Sequence, residues 1–200
     1  YIFNALESEV LYDLLDIMNG NCNAEIKLFS NNMKKIKTYK VLPLKIYVST
    51  YYGRRYVLVW NYLFKRFAFY RLDRIKESCK SNECINKNEM MMRADTVVQK
   101  LWGVSLGKEN YIEKLEMTVR IANGEEYILK RLEREKRNGT IQKLANGDYK
   151  FRAEVYDASE MVPWIKTFTG RIVEIKCSNE RVEKQIKEDF EMMKRIYEVR

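Results

Sequence analysis

Between residues 24 and 72 the chain compresses five strand-like runs, 24–29, 35–42, 44–50, 55–62 and 66–72. Strands this short, stacked as an antiparallel sheet, leave two raw edges that closure into a barrel removes. A small β-barrel is therefore predicted for residues 21–80. Asn31-Asn32 and Gly53 supply turn-forming joints, and Val57, Val59 and Trp60 suit a well-buried strand. Ahead of it, Leu6, Val10, Leu11, Leu14, Leu15 and Met18 repeat at helical spacing and Gly20 offers a stop. Residues 1–20 thus read as a connector helix.

The second half has a different grammar. Residues 81–110 read as a linker, polar at first, with a helix over 90–104. From 111 to 200 the predicted order is strand (112–122), helix (125–135), strand (140–144), strand (149–155), helix (159–168), strand (171–176) and a final helix (178–199). Leu115, Met117, Val119 and Ile121 alternate onto one strand face, and Asn146-Gly147 is a hairpin signal. Met161, Trp164, Ile165 and Phe168 share a helix face, with Ser159 as the candidate cap and Pro163 in the first turn. The order β-α-β-β-α-β is that of the ferredoxin-like split βαβ fold. The fold class expected is α+β: a small barrel followed by a ferredoxin-like domain.

Charge is distributed as unevenly as structure. Residues 26–80 hold fourteen Lys or Arg against Asp73 and Glu77, a net of +12, whereas 81–200 carry only +2 of the chain's +9. Nine of the 14 Tyr lie in the first 80 residues. Basic residues interleaved with aromatics are what single-stranded nucleic acid requires, a cationic path for phosphates and flat rings for bases.

There is no His, which removes the commonest general base and every His-ligated metal site. Glu125-Glu126 and Glu133/Glu135 lie among Lys and Arg and read as ion-paired surface, and no glycine-rich phosphate loop occurs. An enzyme is not expected, nor a cofactor or metal. The four Cys, at 22, 79, 84 and 177, are too sparse for a disulfide framework and read as free thiols in a reducing compartment. No signal peptide is evident, and the longest apolar stretch, 56–60, is strand-sized. A cytoplasmic protein without membrane attachment is expected.

The candidate ligand-binding residues are Tyr56, Arg71, Arg74, Arg54, Arg55 and Asp73. Arginine offers a planar fork for phosphate, and tyrosine a face for a base and a hydroxyl for ribose or phosphate. Alternation sets Arg71 and Asp73 on one strand face and Leu72 on the other, with Arg74 on Leu72's side unless the strand twists or ends there. Each residue has a plainer reading. Asp73 could bridge Arg74 or Arg71 within the domain, Tyr56 could be core packing, and Arg54 or Arg55 could be a solvated turn residue. Lys34, Lys35, Lys37 and Lys40 read as a solvated face.

Pro43, the run Gly53-Arg54-Arg55-Tyr56-Val57-Leu58-Val59 and the run Tyr70-Arg71-Leu72-Asp73-Arg74-Ile75 together resemble the bacterial WYL domain. Of the triplet that names the family, only Tyr matches, at Tyr56 in Arg55-Tyr56-Val57. Downstream, Asp157, Trp164-Ile165, Phe168, Gly170 and Val173-Glu174-Ile175 are similar to the C-terminal extension that often follows that domain. The resemblance implies an Sm/SH3-like barrel within a bacterial transcription regulator. It implies an effector of nucleic-acid or nucleotide type, such as an oligonucleotide, on a basic aromatic patch. It further implies a homodimer that reaches promoter DNA through a separate N-terminal domain, with no winged helix-turn-helix recognisable in this chain. The alternative is a structural protein–protein interaction module without a ligand.

Overall fold

The computed structural model describes residues 8–31, 33–49, 53–84, 86–107 and 110–198. Leu6 of the expected first helix, Asn32 of the expected turn and Val199 of the expected last helix lie outside them. The chain divides into two compact units, Tyr1–Val98 and Gln99–Arg200. The whole is α+β, with two antiparallel sheets.

The first unit begins with α1 (Ser8–Asn19), followed by β1 (Cys22–Ser30), β2 (Lys35–Val48), β3 (Arg55–Asn61), β4 (Arg66–Arg71), β5 (Ile75–Cys84) and α2 (Asn88–Val98). The sheet order is β4-β3-β2-β1-β5. β4 and β5 thus stand at opposite ends of the order, yet only the 3-10 turn Leu72–Arg74 joins them. At about 2 Å rise per residue such a turn reaches only about 6 Å. The sheet must therefore roll until its ends meet there, and the turn touches both β3 and β1. The barrel-like form follows from this connection.

Two runs expected as separate strands, 35–42 and 44–50, are one bent strand. The first part of β2 pairs with β1 and its second part with β3, and a bulge falls between Pro43 and Lys45. Proline has no N–H for the ladder, so the bend sits where a ladder bond would be missing anyway. The fifth strand is Ile75–Cys84, which reaches beyond residue 80 into the expected linker. α1 packs on the barrel, contributing Val10, Leu14 and Ile17 to a core with Ala24, Ile26, Val41, Val57, Val59, Leu72 and Ile75.

The cysteine expectation fails at one position. Cys22 is disulfide-bonded, while Cys79 and Cys177 are free. The β1–β5 register sets Cys84 opposite Cys22. A disulfide depends on proximity in space, which sequence distance does not carry.

The second unit contains β6 (Glu113–Val119), α3 (Glu126–Glu135), β7 (Thr140–Lys143), β8 (Tyr149–Val155), α4 (Val162–Lys166), β9 (Ile172–Cys177) and α5 (Glu180–Glu198). Its sheet order, β7-β8-β6-β9 and antiparallel throughout, is what the split βαβ arrangement demands. One face carries Leu115, Met117, Val119, Phe151, Ala153 and Val155 into a core shared with α3, α4 and α5. On the other, Glu116 pairs with Arg152 at 2.9 Å and Lys150 at 3.5 Å, and Glu174 with Lys176 at 2.7 Å. The strand alternation is thus resolved into an apolar and a solvated face.

Two helix expectations are corrected. The helix expected over 90–104 ends at Val98, and Trp102 beyond it is buried in the second core. The helix expected over 159–168 is a 3-10 turn, Ala158–Met161, followed by the short α4. Its cap is Asp157, whose carboxylate accepts from the Ser159 N–H at 3.0 Å, because Asp157 is the last extended residue before the turn. Pro163 sits in the first turn of α4, as expected. Among the described residues no helix is long and apolar enough to cross a membrane.

Candidate nucleic-acid interface

The site is built on the outer face of the rolled sheet. In β3, Val57 and Val59 enter the barrel core, so alternation turns Tyr56, Leu58 and Trp60 outward. The register sets Arg71 opposite Tyr56, Phe69 opposite Leu58, and Phe67 opposite Trp60. From β2, Tyr47 lies opposite Tyr56. One face therefore carries an aromatic stripe that ends in Arg71.

α2 covers one end of the stripe. The Arg93 guanidinium lies 4.9 Å from the Trp60 ring centre, Lys45 bonds Asp95, and Ala94 is fully buried. At the other end Tyr47, Tyr56 and Phe69 remain half-buried. Phe69 meets Tyr47 edge-to-face at 5.5 Å and Tyr56 at 6.4 Å. This geometry holds the rings upright without hiding their outer surfaces.

The strand ends where the charges gather. Arg71 is the last residue of β4 and precedes the 3-10 turn. Residues i and i+3 eclipse in such a turn, so Arg74 comes back to the side of Arg71. The sequence placed Arg74 with Leu72 unless the strand ended there, and it does end there. Arg71 donates from Nε to Asp73 Oδ1 at 2.9 Å and from a terminal nitrogen to Oδ2. Their side chains are only 21% and 19% exposed.

The electrostatics follow. The hydrogen bond to Asp73 holds the Arg71 pKa above its ordinary value. Burial pushes the Asp73 carboxyl up, but Arg71, Arg74 and Arg54 together outweigh it and hold it below the usual range. Burial first, then Arg71 and Arg54, lowers Arg74, although a guanidinium stays charged throughout the physiological range. The Arg74 guanidinium makes no hydrogen bond or ion pair with another described residue. The plainer reading of Asp73 as an internal partner therefore holds for Arg71, leaving the Arg74 fork open.

Five of the six expected residues, Tyr56, Arg71, Asp73, Arg74 and Arg54, come together. Arg55 does not: it shares the Val57 face of β3 and is solvent-exposed. Sequence reasoning missed Tyr47 and Phe69, although the alternation 67, 69, 71 would have put Phe69 beside Arg71. It also missed the cleft beyond the turn, about 260 Å³, lined by Phe29, Asn31, Arg71, Asp73, Arg74 and Lys76. The signal for that cleft lies in the rolling of the sheet, which brings β1 to the end of β4.

Pairing also sorts the lysines. Lys27 is bridged to Glu77, Lys40 to Glu83 and Lys80 to Asp16. Lys34, Lys35, Lys37 and Lys76 are exposed and make no ion pair with a described residue. Unpaired lysines thus stand at the β1–β2 hairpin and beside the cleft, and Arg55 and Lys65 elsewhere on the barrel are likewise exposed without an ion pair to a described residue.

No family model matches the chain, and no curated protein matches its sequence. Among solved structures, it is similar to a CRISPR Cas-related protein, with a TM-score of 0.60 and 10% identity over 96% of this chain and 52% of that one. It is also similar to Proteasome accessory factor B/C (PafBC) of Arthrobacter aurescens, with a TM-score of 0.44 and 11% identity over 92% of this chain and 26% of that one. The chain therefore spans about half of the first of these proteins and about a quarter of the second. The first likeness is one of fold: a rolled sheet followed by an α+β unit.

Proposed function

We propose that this chain is the effector-sensing and dimerisation region of a bacterial transcription regulator of WYL type, binding a nucleic-acid or nucleotide-like ligand. The observation that carries the reading is the open Arg74 fork, set between the Arg71–Asp73 pair and the Tyr56–Phe69–Tyr47 aromatics. The residues of the WYL-like motif supply that corner: Tyr56 from β3, Arg71 from the end of β4, and Asp73 and Arg74 from the turn. A phosphate fits the fork, and a base fits a ring face. The set binds and carries out no chemistry of its own, so the reading is a sensor and not an enzyme. Ligand binding would shift the balance between two arrangements of a homodimer, and so the spacing of DNA-binding domains attached to it.

The test is equilibrium binding of short single-stranded DNA at several salt concentrations. Binding that weakens with salt, and falls at least tenfold in Arg74→Ala, is expected. No binding at low salt, or binding indifferent to Arg71→Ala plus Arg74→Ala, overturns the ligand and leaves the interaction-module alternative.

A further inference from the structure

A cavity of about 690 Å³ opens in the C-terminal unit between the start of β6, the turn after β8 and the first turns of α5. That volume lies in the range of about 300–1,000 Å³ usual for small-molecule sites. Its walls are braced. Glu113, the first residue of β6, accepts from the Ala158 N–H at 2.7 Å and from Asn179 Nδ2 at 2.6 Å. Asp157 accepts from the Ser159 N–H at 3.0 Å and from the Ser105 hydroxyl. Gly107 lets its loop close against the turn, because a Cβ there would stand 2.7 Å from the Tyr156 carbonyl oxygen. Four chain segments are thus locked together around the space.

The polar groups of the lining divide into spent and open. Every donor to Glu113 and Asp157 is neutral, and neither carboxylate has an ion pair with a described residue. Two negative charges are therefore held in place without being neutralised, and a carboxylate offers about four acceptor sites, so each keeps capacity. Arg181 and Gln185 lie one helical turn apart on α5 and line the same wall. Both are exposed, and their side chains bond no other described residue. Tyr156, half-buried, and Tyr111, 71% exposed, complete the lining, and their hydroxyls likewise bond no described residue.

We infer that this cavity is a ligand site for an α-amino acid with an aromatic side chain, separate from the barrel corner and from the ligand proposed there. Charge selects the class. A plain anion would meet Arg181 but also two unneutralised carboxylates, and a plain amine would leave Arg181 unmatched. A zwitterion satisfies both. Its ammonium donates to Glu113 and Asp157, and its carboxylate takes the Arg181 fork. A flat side chain then has the two tyrosine rings to pack against.

The experiment titrates the full chain calorimetrically with L-phenylalanine, with phenethylamine, which lacks the carboxylate, and with 3-phenylpropanoate, which lacks the amine. L-phenylalanine is expected to bind, and each analogue to bind about tenfold more weakly or worse, the loss of one charged hydrogen bond. Arg181→Ala, at an exposed side chain without an ion pair, should cost L-phenylalanine about tenfold and leave phenethylamine binding unchanged. Tyr111→Ala should weaken all three by about fivefold. No binding of L-phenylalanine at millimolar concentration overturns the inference. So does L-phenylalanine binding that is indifferent to Arg181→Ala, or 3-phenylpropanoate binding as tight as that of the amino acid. None of these outcomes bears on the barrel corner, whose ligand is tested separately with single-stranded DNA.

Discussion

The two units pair their charges to different extents. In the C-terminal unit the solvated sheet face is a lattice of acids and bases, Glu116 with Lys150 and Arg152, Glu174 with Lys176. Its helices are tied likewise, Arg171 to Glu125, Arg131 to Glu135 and Lys166 to Asp189. The barrel unit pairs the cations on the flank of its sheet and leaves Arg74, Lys76 and the hairpin lysines without a partner among the described residues. The C-terminal unit thus pairs most of its cations; Lys130, Lys143, Arg181 and Arg195 are among the exposed exceptions, and they are scattered and not gathered at one site. The barrel unit sets several of its unpaired cations close together, at the turn and the hairpin, where their fields add.

A half-buried carboxylate in each unit shows the same contrast. Asp73 is held below the usual range because three guanidinia outweigh its burial. Glu160 accepts N–H bonds from Gly103, Val104 and Ser105 at 3.0, 3.0 and 3.1 Å. Burial still dominates, Asp157 adds to it, and the pKa is raised. One carboxylate steadies an arginine at the end of β4, and the other pins a loop to its own core.

The largest effect that sharpens this contrast lies in the apolar nest of the C-terminal unit. Phe151 is fully buried beside Trp102 and Trp164. Phe151→Ala should cost about 3–5 kcal/mol in urea denaturation. Ligand affinity at the barrel should persist below the unfolding transition, and a parallel loss of affinity would break the division of labour.

Next comes Arg74→Ala, which removes a charged hydrogen bond worth about 1.5–3 kcal/mol to a bound phosphate. Arg120→Ala, at a side chain 68% exposed in the other unit, should leave affinity unchanged. Equal losses at both positions would mean that net charge, and not the corner, attracts the ligand.

The pH response comes third, with opposite signs. The Asp73 contribution to stability is present above its unfolded pKa of about 3.9 and is lost as pH falls through the depressed folded value. Asp73→Asn should flatten that acid limb. Glu160 works in the other sense. Its folded pKa lies above the unfolded value of about 4.3, so stability declines as pH rises through that interval. Glu160→Gln should remove the decline, and unfolding curves recorded across acidic pH read both. The smallest effect belongs to an exposed pair, Lys184 with Glu188, 77% and 64% exposed. Lys184→Ala should change stability by no more than about 0.5 kcal/mol and ligand affinity not at all.

Much of the second unit was legible in the sequence because its signals are local. Alternation at 115, 117 and 119, the Asn146-Gly147 turn and the helical spacing of 182, 186 and 190 each depend on residues within a few positions. Its errors were local too: the shift of the cap from Ser159 to Asp157 follows from one residue's extended backbone. The barrel was harder. Strand number survived, but membership did not, since Pro43 bends one strand where two were expected and Ile75–Cys84 supplies the fifth.

The sequence by itself determined the alternation of strand faces, the order of elements and the concentration of positive charge in residues 26–80. Those properties follow from residue type and spacing along the chain. Only the tertiary structure decided which charges are spent and which remain. It gave Asp73 to Arg71, turned Arg74 back through a 3-10 turn and brought Phe29 to the same corner. The first two are set by where β4 ends, and the last depends on the rolling of the sheet, which joins β4 to β5 across three residues and makes neighbours of side chains far apart in the chain.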